Sequence, residues 1–188
     1  MTFRKRSRLE EERKYANAED FQQVFTVDGN RLYQLAFMLA GDRETAERII
    51  TAGLEDTMNS TGVFKDWARN WAKHAVIRNA IRIVNPQPRE DAEFYVSATL
   101  PTTIEPINLQ DRELALNRVL NLAEFDRFVF VITVLERYTD HDCALLLSAF
   151  LRDVRHSRFR AIQNLAALGS GEPAFIESTR GLAHSGVS

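Results

Sequence analysis

The side chains best suited to chemistry in this chain are cations and aromatic rings at helical spacing. Arg152, Arg155, Arg158 and Arg160 fall within nine residues, opposed there only by Asp153. On a helix, Arg152, Arg155, His156, Phe159 and Arg160 form an outer face, and Val154, Ala161, Ile162 and Leu165 form a buried one. A shorter helix ending at Leu147 precedes it, with Cys143, Ala144 and Leu147 to bury. Short helix, turn and long helix make a helix-turn-helix, whose second helix enters the major groove, reads base edges and neutralises phosphates. A solvated arginine face on a bundle helix fits this segment equally well. A second constellation, Phe64, Lys65, Trp67, Arg69, Trp71 and Lys73, interleaves rings with cations. Spacing alone expects core packing for at least one of Trp67 and Trp71, with Phe64 similar, and a solvated face for Lys65, Arg69 and Lys73.

Chemistry of other kinds has little to work with. The sequence holds no glycine-rich phosphate loop, no paired-cysteine motif and no Gly-x-Ser-x-Gly elbow. Its carboxylates are dispersed and its four histidines scattered, with His74 and His156 reading as surface or hydrogen-bonded groups. Cys143 is the single cysteine, so an internal disulfide is excluded and a multi-thiolate metal site is not expected. A small, buried, apolar role suits it. Neither enzymatic activity nor any cofactor or metal is expected.

The elements that must position these side chains are helices. The 188 residues are 45% hydrophobic and 27% charged, the mix of a globular protein of one medium or two small domains. Net charge is −2 and unevenly spread. Met1–Lys14 carries six basic and three acidic residues, while residues 111–168 sum to zero, so the arginine stripe is local. No apolar run approaches the roughly 20 residues of a membrane span, and the basic start lacks the apolar core of a signal peptide. A cytoplasmic location is expected.

Pro86, Pro88, Pro101 and Pro106, four of the five prolines, mark residues 85–110 as a linker. An all-α protein of two small helical domains follows: 15–84 and 111–168, with 169–188 as a Gly- and Ser-rich flexible tail. In the first, Phe21, Val24, Phe25, Leu32, Leu35, Ala36 and Leu39 recur at three- and four-residue steps, with a break at Gly29. Gly41 ends that run and Asp42 caps a helix carrying Ala46, Ile49, Ile50, Gly53 and Leu54. After a break at 59–62, a third helix runs from Phe64 to about Val84. In the second domain, helices are expected over 111–123 and from Phe125 to Leu135. Thr139 caps another through Leu147, with Asp142 at its third position and Asp140 also reading as a cap. A break at 148–150 precedes the last helix.

In their order, these segments resemble the extracytoplasmic-function type of RNA polymerase sigma factors, a diverged relative within the sigma-70 family. Leu32-Tyr33-Gln34-Leu35-Ala36 followed by Gly41-Asp42-Arg43-Glu44-Thr45-Ala46-Glu47 is similar to the start of that family's region 2. Phe64-Lys65-Asp66-Trp67, with Ala72-Lys73-His74-Ala75 and Arg78-Asn79, resembles its aromatic helix. Phe125-Asp126-Arg127-Phe128-Val129-Phe130 and the segment from Tyr138 to Ala161 resemble its region 4 helix-turn-helix. The resemblance covers residues 17–84 and 111–168.

It implies a transcription initiation factor that binds core RNA polymerase and recognises promoter DNA. The helix with Glu47, Arg48, Ile50, Thr51 and Leu54 would face the polymerase clamp. Phe64, Lys65, Trp67, Arg69, Trp71 and Lys73 would face the unpaired promoter strand, rings stacking on bases and cations meeting phosphates. Arg152, Arg155, His156, Phe159 and Arg160 would face the upstream duplex. An anti-sigma factor is a further partner the resemblance implies. Departures from the family pattern open an alternative. Arg48, Thr51 and Ala52 replace family acids or polar groups, Ser148 replaces the turn glycine, and Phe150, Arg152 and Asp153 replace small polar residues. The alternative is a sigma-like protein-interaction module, pairing with an anti-sigma-type partner or itself, without promoter activity.

Overall fold

The computed structural model describes residues 14–88 and 109–167, and among them the fold is all-α. Most of the expected linker (89–108), the tail from 169 and the basic segment 1–13 lie outside the described residues. Among the described residues four helices precede the gap: α1 (Ala18–Val27), α2 (Gly29–Ala40), α3 (Arg43–Met58) and α4 (Ala68–Val84). Four follow it: α5 (Leu109–Leu120), α6 (Glu124–Phe130), α7 (Asp140–Leu147) and α8 (Leu151–Ala167).

Local chemistry sets the boundaries. Asn17 and Asp20 each accept the other's backbone N–H at 2.9 Å, a reciprocal cap that starts α1. Gly41 ends α2 at φ 86°, and a Cβ there would lie 3.0–3.2 Å from the Arg127 guanidinium, so glycine is required twice over. The Asp42 carboxylate accepts the Thr45 N–H at 2.8 Å to start α3, and that bond holds its pKa below the ordinary value. Leu32, Leu35, Ala36 and Leu39 are buried on α2 at the spacing the sequence sets out. Gly53 lets α3 approach α4 closely; a Cβ there would sit 3.3 Å from Val76. The buried side of α4 combines the small residues Ala68, Ala72, Ala75 and Ala80 with Val76 and Ile77.

Two elements differ from the sequence expectation. The helix read from Phe64 begins at Ala68, after a 3₁₀ turn at Lys65–Trp67. Phe64 is held extended by a bridge to Tyr15, with Ala16 N–H donating to Val63 O at 2.7 Å and Lys65 N–H to Lys14 O at 3.0 Å. The helix read through Leu135 stays α only to Phe130 and continues as a π-helical turn, Val131–Leu135. Its β-branched run is crowded, and the Thr133 hydroxyl bonds back to Val129 O at 2.7 Å. The chain leaves this turn through Arg137 at φ 60°.

One continuous core runs through the helices on both sides of the gap, joining Leu32, Leu39, Val76, Phe128, Ile132 and Leu147. Its polar centre is Arg127 on α6, only 8% exposed. Nη2 donates to the last carbonyls of α2, Leu39 O at 3.2 Å and Ala40 O at 3.1 Å, and Nη1 to Leu120 O on α5 at 3.3 Å. The last turn of α2 carries no basic residue of its own, so the cation favoured at a helix C-terminus comes from 87 residues further along. Burial pushes the Arg127 pKa down, opposed by Glu124 and Asp42.

Two stability outcomes follow. Arg127→Met, and also Arg127→Lys, is expected to lower the free energy of unfolding by about 2–3 kcal/mol, because charged hydrogen bonds are lost and one ammonium cannot span three carbonyls; denaturant titration measures it, and a lysine variant as stable as wild type rejects the clamp. Ser148 closes α7 at φ 51°, so Ser148→Gly is expected to raise stability by about 1 kcal/mol, read as a higher melting temperature.

Candidate nucleic-acid interfaces

The first candidate surface forms where α4 begins. The large rings of this segment lie outside the core. Trp67 is 65% exposed, Phe64 46% and Trp71 38%. Core packing, expected for at least one tryptophan, is therefore not met. The rings are ordered among themselves: Tyr15 stacks on Phe64 at 4.9 Å between centroids, and Trp67 meets Phe64 edge-on at 6.1 Å. The Trp71 indole N–H donates to Ser60 Oγ at 3.1 Å.

Each cation of this surface has a carboxylate. Lys65 pairs with Asp20, Arg69 with Asp28 and Lys73 with Glu136, all at 3.0 Å. The Asn17 backbone N–H holds the Asp20 pKa low, and Lys65 adds to the effect. Lys73 also lies 5.5 Å from the centre of the Tyr138 ring. Its partners come from the far side of the gap, so Lys73 is a contact between the two groups of helices. A cleft of about 170 Å³, lined by Asp28, Arg31, Arg69, Asn70, Lys73 and Glu136, marks this seam.

The second surface is α8. The α7–turn–α8 unit has the layout read from the sequence. Thr139 Oγ1 accepts the Asp142 N–H at 3.1 Å, and Cys143, Ala144, Leu147, Val154 and Ala161 are buried. The arginines divide. Arg152 and Arg155 are the most open, with side chains 75% and 63% exposed. Arg158 lies 3.1 Å from Asp140 and Arg155 3.8 Å from the same carboxylate, while Arg152 is 3.4 Å from Asp153. Arg160 lies within the fold, its Nη2 2.6 Å and Nε 3.2 Å from the buried Asp126, which also accepts the Ser157 hydroxyl at 2.6 Å. His156 and Phe159 are half-buried. At the mouth of the helix Phe150 is 76% exposed, and Leu145 on α7 is 67% exposed.

The third group sits on α3. Glu47, Arg48 and Thr51 are exposed, and Ile50 and Leu54 are half-buried beside them. Arg43 pairs with Glu47 at 2.8 Å, and the Thr51 hydroxyl donates to Glu47 O.

Sequence reasoning identified the cations but not the acids that hold them. Asp140 was read as a cap and not as an arginine partner; Asp126, Glu136 and Asp28 lie too far along the chain from their partners for any local pattern to reveal the pairing. Among the described residues no group of three or more His, Cys, Asp or Glu is placed to hold a metal ion, and no helix is long and apolar enough to cross a membrane. His74 is half-buried, and desolvation lowers its pKa, with Arg78 and Lys73 adding to the shift. No protein-family model matches the chain, and no curated protein sequence matches it.

Cys143 is fully buried, and burial, with a smaller contribution from Asp140, pushes its thiol up to about 12. The folded protein is therefore expected to resist thiol reagents near neutral pH and to react once unfolded; rapid labelling of the native protein contradicts this burial.

Proposed function

We propose that this chain is a sigma-like transcription initiation factor that binds core RNA polymerase and recognises promoter DNA. The observation that carries the reading is the exposure of Phe64, Trp67 and Trp71 where α4 begins. Large rings left in solvent suit stacking on unpaired bases. The open arginines Arg152 and Arg155 at the leading end of α8 suit a major-groove contact. The outer face of α3, with Glu47, Arg48 and Thr51 beside the half-buried Ile50 and Leu54, is the surface offered to the polymerase. The reading places the chain in the cytoplasm.

The interaction-module alternative has its own support. The α8 arginines sit on the protein's own carboxylates, and one core spans both groups of helices. A promoter-spanning factor must part those groups to reach two separate elements, whereas a module pairing with an anti-sigma-type partner or itself need not.

Mixing the purified chain with core polymerase at low salt separates the two readings. A stable complex on size exclusion is expected. Trp67→Ala and Trp71→Ala should each weaken binding of a single-stranded promoter fragment by about 1–3 kcal/mol, and affinity should fall steeply with salt. Absence of any polymerase complex removes the initiation-factor reading; a pull-down from native cytosol that returns a small helical partner in place of polymerase subunits favours the module.

A further inference from the structure

We infer that Tyr15 belongs to the single-strand surface and takes a base of its own, so that a bound strand runs past Phe64 and off the start of α4. The inference rests on the reading of that surface proposed above, and it adds a residue that lies ahead of the segments resembling a known family. Its placement begins with the backbone. Ala16 N–H donates to Val63 O at 2.7 Å and Lys65 N–H to Lys14 O at 3.0 Å, which pairs Tyr15 with Phe64 in an antiparallel bridge. Successive side chains of extended chain point to opposite sides, and directly opposed ones to the same side. Ala16 and Val63 turn inward, into a small apolar cluster with Phe21 and Ala68. Tyr15 and Phe64 are thereby turned outward together.

The rings continue from there. Tyr15 stacks on Phe64 with 4.9 Å between centroids and 28° between planes, and Phe64 meets Trp67 edge-on at 6.1 Å. Trp71 follows Trp67 by one helical turn. All four rings are exposed, Tyr15 by 38%. They form a run that starts on α4 and ends on the segment before α1. Flat rings fixed side by side are the form of surface on which successive bases stack. Stacking on Phe64 occupies one side of the Tyr15 ring, and the exposure that remains is the area a base can cover. The bridge sets both rings before any strand arrives, so binding has little side-chain ordering left to do. Tyr15 lies far from Phe64 along the chain, and no local spacing reveals that the two share a surface.

The test compares the full-length wild type with Tyr15→Leu, which keeps an apolar cover over Phe64 but removes the ring, and with Tyr15→Phe, which keeps the ring. Two readouts are taken. Each protein is titrated with a fluorescent oligothymidylate at low salt. The wild type is also irradiated with an oligothymidylate carrying 5-iododeoxyuridine, whose photolysis joins the base to an aromatic ring stacked on it, and the modified residues are identified by mass spectrometry. Tyr15→Leu is expected to weaken binding by about five- to tenfold, the lower end of what one stacked base contributes. Tyr15→Phe should bind as wild type does, and Tyr15 should be among the cross-linked residues. Unchanged affinity in Tyr15→Leu overturns the inference. An equal loss in Tyr15→Phe also overturns it, because the hydroxyl and not the ring then carries the effect. A wild type that binds the oligothymidylate without a cross-link at Tyr15 overturns it too, since Tyr15 then only props Phe64. A wild type that does not bind the oligothymidylate at all is a separate result, and it overturns the single-strand reading itself.

Discussion

A cation at the end of a helix it does not belong to holds this fold together. The α2 helix stops at Gly41 with its final carbonyls pointing inward, and it has no basic side chain in its last turn to meet them. Buried carbonyls without donors are costly. The Arg127 guanidinium meets two of them and a third on α5, and its planar set of donors is the one side chain that can reach all three. Everything at the seam is positioned from there: α6 is fixed on α2, the π-helical turn follows α6, and Glu136 and Tyr138 reach α4 because that turn ends where it does. Gly41 belongs to the same device, since a Cβ there would crowd the guanidinium at 3.0–3.2 Å.

Charge in this protein is arranged in place rather than in bulk. The cluster of arginines near the C-terminal end reads as a positive stripe, yet Asp126, Asp140 and Asp153 meet its members in turn. The pairs differ in kind. Arg160 and Asp126 form a buried, doubly bonded pair with Ser157, a structural lock between α6 and α8. The pairs of Arg152 and Arg155 are open to solvent, weak and screened by salt, and a phosphate can replace their carboxylates at little cost. Exposure therefore sorts four arginines that look alike in the sequence into one lock and at least two available contacts.

How much could be read beforehand depended on how far each interaction reaches along the chain. The Gly41 stop and the Asp42 and Thr139 caps rest on contacts within a few residues, and the α2 face and the burial of Cys143 follow from local apolar spacing and residue type; all were legible. The start of α4 was not, because Phe64 is held by Tyr15, far upstream. The π-helical turn was obscured by a β-branched run whose spacing imitates an ordinary helix. The tryptophans were misjudged because which side of α4 is buried is decided by the helices packed against it, α3 among them, and the spacing of Trp67 and Trp71 does not show that. The acids that hold Lys73, Arg69 and Arg160 answer to the tertiary fold alone.

Both tryptophans of the chain stand where α4 begins, Trp67 in the turn before it and Trp71 in its first turn, and the helices beyond the gap contain none. The intrinsic fluorescence of the molecule is thus a local lamp. Its emission is that of water-exposed indole even in the native state, and it reports quenching by whatever settles on that one face. It is nearly blind to loosening around Phe128 and Ile132, which must be followed by circular dichroism or hydrogen exchange.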